Sequence, residues 1–272
     1  MATRMGARFT GNLAELRYEP VAKRVRAVAS GRTFADSRRA VLVWEQKRVV
    51  PSYAFALSDL RATPTPADDT PAAENPVQLA EGGPPVLDPR TAFAMHTCPG
   101  RPQTLAVDGV TLPGAGFRPD DPDLGEHVIL DFAAFDEWLE EAEPIVGHPR
   151  DPFSRIDIRR SDSRVQVEVD GTVVADSAAP RLLFETGITP RYYLPREDVR
   201  MDLLTPSDTR TTCAYKGHAT YWSVGGYRDL AWTSDEPLSD ARDIAGHIAF
   251  LTERVDVVLD GERLPRPVTP WS

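Results

Sequence analysis

The sequence is short of cysteine, of basic charge and of long apolar runs. Cys98 and Cys213 are the only thiols in 272 residues. With no C-x-x-C spacing, two thiols supply neither a four-thiolate zinc site nor a disulfide framework, and no metal is assigned. Reduced thiols are expected, and with them a cytoplasmic location. No stretch approaches the eighteen or so apolar residues of a membrane span. The opening MATRMGARFTGNLAEL lacks the apolar core of a signal peptide. Lys and Arg total 31 against 41 Asp and Glu, a net charge of −10. That balance suits a solubilising surface and argues against a nucleic-acid partner, which usually needs a basic patch. No G-x-G-x-x-G or Walker A loop occurs, so nothing names a cofactor. Nothing sets an oligomeric state either.

What is present is a repeat. VRAVASGRTFADSRRAVLVWEQKRVVPSYAFALSDLR from Val25 resembles VQVEVDGTVVADSAAPRLLFETGITPRYYLPREDVR from Val165. Gly31 aligns with Gly171, Ala35-Asp36-Ser37 with Ala175-Asp176-Ser177, and Glu45 with Glu185. After a one-residue slip, Pro51, Tyr53, Asp59 and Arg61 align with Pro190, Tyr192, Asp198 and Arg200. Further on, Thr97-Cys98 aligns with Thr212-Cys213, Gly147-His148 with Gly246-His247, and RIDI at Arg155 with RVDV at Arg254. Two domains follow, 22–162 and 163–264. The first is longer by two insertions: a Pro/Ala/acid-rich loop at 62–89, expected to be loosely tethered, and a Pro/Gly/Asp-rich stretch at 110–123.

The local patterns are mainly β. VQVEV and TVVADS alternate about Asp170-Gly171, a two-residue hairpin signal. RLLFET reads as a strand, and ITPRYYLPREDV is extended between Pro190 and Pro195. CAYKGHATYWSV is strand-like with a turn at Lys216-Gly217, and YRDLAWTS is another strand. HIAFL and RVDVVLDG read as a second hairpin. One short helix per domain is expected. SDARDIAG, capped at Ser239, supplies one. DFAAFDEWLEEAEP supplies the other, with Phe132, Phe135, Trp138 and Leu139 on one face.

GTVVADS, RLLFETG, PRYYLPREDV, TTCAYKGHATYWSV, LAWTSDEP and IAGHIAF follow one another as in the bacterial domain-of-unknown-function family numbered 427, also catalogued as a nucleotidyltransferase-like domain. The second domain resembles that family throughout. The first resembles a diverged copy, so the chain resembles a tandem member. The resemblance implies two related antiparallel β-tent-like domains, a β-rich α+β protein, with a site in the second. It leaves the chemistry open: the sequence shows no G-S motif with paired aspartates for metal-assisted phosphoryl transfer.

Comparison of the two copies locates candidate residues. Arg191 and Tyr193 stand where the first copy has Ser52 and Ala54. Tyr215, Lys216, His218, Tyr221 and Trp222 lack polar-aromatic counterparts there. One reading is a small-molecule site kept in one copy and lost in the other. Lys216 and Arg191 would hold an anionic, nucleotide-like group. Tyr192, Tyr193, Tyr215, Tyr221 and Trp222 would wall it, with Asp198 as a further ligand contact. Gly217 would let backbone approach the ligand. In a transferase-type enzyme, Glu185 is the acid/base, Lys216 stabilises charge and Tyr193 positions or donates a proton. The alternative is a non-catalytic binding or protein-interaction module. Glu45 and Glu185 have a second reading as structural partners of Arg61 and Arg200. Asp36-Ser37 and Asp176-Ser177 read as turn-forming pairs, with a ligand-binding polar pair as the alternative. Cys98 and Cys213 read as packed thiols unless Lys216 and His218 activate the second. His148 and His247 read as packing or capping residues.

Overall fold

The computed structural model describes residues 2, 12–79 and 83–272. They fall into two compact units, one within 1–77 and 84–151, the other within 78–83 and 152–272. In the second unit Val165–Val169 and Thr172–Ser177 form the expected hairpin. Its turn needs positive φ twice, and Asp170 (φ 49) and Gly171 (φ 76) supply it. Asp256–Leu259 and Glu262–Arg263 complete a four-stranded antiparallel sheet. A seven-stranded antiparallel sheet runs in the order Ile156–Arg160, Arg181–Glu185, Arg191–Leu194, Ile248–Phe250, Tyr227–Thr233, Gly217–Val224, Leu204–Cys213.

The first unit has the same order strand for strand. Its large sheet runs Arg17–Pro20, Val41–Trp44, Ser52–Ala56, His127–Leu130, Val110–Pro119, Gly100–Val107, Thr63–Pro66. Its small sheet joins Glu143–Ile145, Glu137–Glu140, Val25–Ala29 and Arg32–Ser37. Even irregularities recur. The first hairpins shift register at Ala27/Val28 and at Val167/Glu168. Lone bridges join Ala35 to Leu60 and Ala175 to Val199. The fold is therefore mainly β, and among the described residues no helix is long and apolar enough to cross a membrane.

Several expectations change. The helix over 131–144 is instead a single 3-10 turn, Phe132–Ala134, followed by the strand Glu137–Glu140. Trp138 and Glu140 lie two apart on one strand face and are both buried, which a helix face would not unite. The other helix is a six-residue 3-10 segment, Ser239–Ile244. The supposed insertion at 110–123 contains the strand Val110–Pro119, equivalent in order to Tyr227–Thr233. Within 62–89, Thr63–Pro66 is an edge strand paired with Gly100–Val107, and Val86 and Leu87 are buried, so this segment is anchored at both ends. Ile248–Phe250 and Asp256–Leu259 enter different sheets and form no hairpin. Ile156–Arg160 pairs with Arg181–Glu185 of the second unit, so RIDI opens that unit and is no counterpart of RVDV. Register also re-pairs the histidines. Ile129 lies opposite Ala54 and Phe117, as Ala249 lies opposite Tyr193 and Trp232. Two residues earlier in each strand's run stand His127 and His247, so His127, not His148, matches His247.

In each unit the main core lies between the two sheets. Val25, Phe34, Leu42, Tyr53, Leu105 and Trp138 pack together in the first, and Val165, Val174, Leu194, Trp222, Leu230 and Phe250 in the second. Trp138 centres the first core. Its ring stacks on Phe132 at 5.0 Å and on Tyr53 at 5.5 Å, and its Nε1 donates to the Phe132 carbonyl. Trp138→Ala is expected to destabilise the first unit by about 3–5 kcal/mol, read as a lower urea midpoint. A loss near that of a surface change, under about 1 kcal/mol, would contradict this placement.

Candidate functional site

Strand alternation sorts the candidate residues. On Arg191–Leu194, Tyr192 packs against the inter-sheet core, as does buried Leu194. Tyr193 packs on the opposite, outer face with Leu183, Ala241, Ile244, Ala249 and Trp232. On Gly217–Val224, Trp222 and Val224 belong to the inner core. Tyr221 is one residue removed from Trp222 and lies 6.4 Å from Trp232, on the outer side.

The outer face carries a charged pair. Glu185 ends the strand Arg181–Glu185, and Lys216 lies in the turn at 214–216 that joins the last two strands. Lys216 Nζ donates to Glu185 Oε2, and the side chains are 19% and 14% exposed. Burial alone would lower the lysine pKa. The Glu185 carboxylate, with Cys213 and Tyr193 beside it, overrides burial and raises the pKa, so the ammonium stays charged. Burial pushes the Tyr193 phenol up as well, so it remains protonated. Its oxygen accepts from Trp232 Nε1 at 3.1 Å, leaving its own proton free to donate. Gly217 has φ +84, and a Cβ there would meet Leu238 at 3.4 Å. The close approach read at this glycine is thus made by the protein's own chain.

Arg191 lies elsewhere on this face and is fully engaged. Its guanidinium makes a bidentate pair with Glu253, both bonds 2.6 Å, and donates to Thr252 Oγ1 at 2.8 Å. The Trp232 and Trp271 rings lie 5.8 and 5.7 Å from it, and Thr269 Oγ1 donates to the same glutamate. The Glu253 side chain is 0% exposed. Removing one partner of such a pair typically costs about 3–5 kcal/mol, because the other is left buried and charged. The two cations read as an anion clamp are therefore each neutralised by a carboxylate.

The remaining candidates scatter. Asp198 accepts from Ser177 Oγ at 2.7 Å, as Asp59 accepts from Ser37 Oγ, a tie common to both units. Asp36 and Asp176 are held by Arg24 and Arg164. Tyr215 is buried in the turn. Tyr221 Oη lies 3.0 Å from Thr211 Oγ1, and exposed His218 bonds Thr212. Arg61 pairs with Asp36 and Arg200 with Asp202, so neither serves Glu45 or Glu185. Glu185, Lys216 and Tyr193 do converge with Trp232, which the sequence did not single out. Among the described residues no group of three or more His, Cys, Asp or Glu is placed to hold a metal.

The first unit uses its glutamate differently. Glu45 is buried, with His96 Nδ1 3.0 Å from Oε1, and Thr97 N donating to Oε2 at 2.7 Å. Burial would raise its pKa, and these bonds with Arg48 nearby hold it below the ordinary value. Phe117, at the register position of Trp232, stacks on His96 at 3.6 Å. His96 was missed in the sequence, where its one signal was a histidine two residues before Cys98. Counting back from the register pairs puts Cys98 at the position of Gly217, not Cys213. The Cys98 thiol is pushed up to about 12 by burial and by Glu45.

Residues 157–261 match the family labelled NTP_transf_9, a domain of unknown function (DUF427). The matched segment lies wholly within the second unit. No curated protein matches the chain.

Two measurements follow. At about pH 8 a free thiol is roughly one-quarter thiolate, and a thiol with a pKa near 12 about one part in ten thousand. Native Cys98 should therefore alkylate with iodoacetamide about three orders of magnitude more slowly than after unfolding. Peptide mass spectrometry reads this, and comparable rates would contradict it. Lys216 has a raised pKa, so its contribution to stability is complete below the ordinary lysine value of 10.5 and fades as pH rises through the folded value. Lys216→Met should cost about 1–3 kcal/mol, level from about pH 7 to about pH 9 and shrinking above 10.5. A cost that grows with alkalinity would reverse the sign assigned here.

Proposed function

We propose that the second unit, the segment similar to the DUF427 family, is a binding module for a small planar polar molecule. Its site is the Lys216–Glu185 pair on the outer face, flanked by Tyr193, Tyr221 and Trp232, with Tyr215 in the adjoining turn. The observation that carries this reading is the pair itself: partly exposed, with a permanent donor in Lys216 and an acceptor in Glu185 side by side. A ring edge bearing a carbonyl beside an N–H complements both at once, and the partly exposed Tyr221 and Trp232 offer contact area for the ring, over buried Tyr193. The local charge is balanced, so an anion has no surplus positive charge to meet at this place. A charged ammonium is a poor nucleophile and a protonated phenol no base, so the groups are set for recognition rather than for bond making.

The label of the matching family favours a second reading, nucleotidyl transfer, in which Glu185 serves as acid/base and Tyr193 as proton donor. The common strand order and shared bulges of the two units support a tandem duplication, with the first as the diverged copy. Both cysteines are free, in keeping with a cytoplasmic protein.

Saturation-transfer NMR with nicotinamide, uracil and hypoxanthine tests the binding reading. At least one probe should bind saturably to the wild type. Lys216→Met and Glu185→Gln should each weaken it at least about tenfold, the loss of one charged hydrogen bond. If no probe binds, or both variants bind as wild type does, the reading is wrong. If nucleoside triphosphates are turned over by the wild type and not by Glu185→Gln, the transferase reading replaces it.

A further inference from the structure

Lys216 and Arg191, the cations the sequence offered for an anion, are each paired with a carboxylate, and two further arginines lie together elsewhere in the second unit. A shallow, open groove of about 330 Å³ is lined by Arg181, Arg196 and His247, with Ala179, Pro195 and Glu197. None of these is a residue of the Lys216–Glu185 site. Arg181 begins the strand that Glu185 ends, so the two places stand about 13 Å apart along one strand.

We propose that this groove binds a phosphate group, either free or as a monoester. Two guanidinium groups line it. Neither Arg181 nor Arg196 has an ion-pair partner among the described residues, in contrast to Lys216 and Arg191. Arg196 is held with its guanidinium 5.3 Å over the Trp222 ring, a contact that orients the plane and leaves its edge donors uncommitted. His247 donates its Nδ1 proton to the Ala245 carbonyl at 3.1 Å, which fixes the ring and leaves Nε2 for a ligand. Glu197 is the one carboxylate in the lining and opposes an anion.

The first unit shows that the fold does not need these cations. Register places Val41 at the position of Arg181, since Val41 lies opposite Ala54 as Arg181 lies opposite Tyr193. Leu57 opens the 3-10 turn that Arg196 opens in the second unit. The histidine is common to both, yet His127 Nδ1 is buried without a partner, and burial lowers the pKa of that ring. Where the second unit has Ala179, the first has Arg39, two residues after the matched serine and already paired with Asp59. One copy thus has apolar side chains and a closed ion pair where the other has open cations around a small alanine. Arginine is the side chain best matched to tetrahedral oxyanions, which accept its paired N–H donors.

The test is a titration of the full chain with inorganic phosphate, at constant ionic strength set with chloride, followed by amide NMR at Gly246 and His247. Saturable shifts are expected in the wild type. Arg181→Gln and Arg196→Gln should each weaken binding at least tenfold, and Glu197→Gln should tighten it. Lys216→Met should leave it unchanged, which separates this site from the one proposed above. Thermal melts of the arginine variants should match wild type, given Val41 and Leu57 in the first unit; if one variant is misfolded, the other decides. Phenyl phosphate binding tighter than phosphate identifies a monoester as the ligand, and equal affinity identifies free phosphate. Shifts that fail to saturate, or that persist in both arginine variants, overturn the proposal.

Discussion

The large sheet in each unit is apolar on both faces and has only one partner sheet. That constraint governs the rest. The inner face is covered by the four-stranded sheet and forms the main core. The outer face must be covered by the chain's own connections. In the second unit Ala241 and Ile244 of the segment Ser239–Ile244 lie on Leu183 and Tyr193. In the first unit Leu124 and Phe93 pack with Val41, Val43, Ala54 and Phe117. Such a cover is short, so polar groups gather where it ends. Both places argued for ligands, the Lys216–Glu185 pair and the arginine groove, border the ends of the same connection, through Leu238 and through Ala245 to His247.

A glutamate stands at the end of the second strand of both large sheets, Glu185 as its last residue and Glu45 directly after it, and its partners decide how open the neighbourhood is. Glu45 is gripped by a backbone amide and an imidazole stacked on Phe117, an arrangement with little room left. Glu185 is gripped by one lysine on a three-residue turn. The difference follows from size exchange at matched positions: Ala54, Phe117 and Ile129 in one unit against Tyr193, Trp232 and Ala249 in the other. Volume is conserved roughly while chemistry changes, the kind of swap a packed patch tolerates.

Local signals in the sequence were reliable where one principle acted alone. Asp170-Gly171 forced a hairpin, and alternation in VQVEV and TVVADS set its faces. The match of Ala35-Asp36-Ser37 to Ala175-Asp176-Ser177 was correct because those residues bond within each unit in the same way. The reading failed where two periods overlapped. Phe132, Phe135 and Trp138 satisfy a helical spacing, yet they cluster because a 3-10 turn runs directly into a strand. It failed again where partners are remote. Nothing near Arg191 in the chain announces Glu253, Thr269 or Trp271, and only the folded sheet brings them to it. Short matches such as Gly147-His148 misled because two residues carry too little information to set register.

Neither large sheet closes into a barrel, so each has free edges, and their sequences bear on how the protein behaves when concentrated. Thr63–Pro66 reads TPTP. Leu204–Cys213 contains Pro206, Asp208 and Arg210 and breaks its register between Ser207 and Arg210. Proline removes the amide that a joining strand would need, and charge with a bulge spoils the flat line along which it would dock. These two edges are poor templates for cross-molecular strand addition, so the segments that end each sheet on this side also guard it against pairing with another copy.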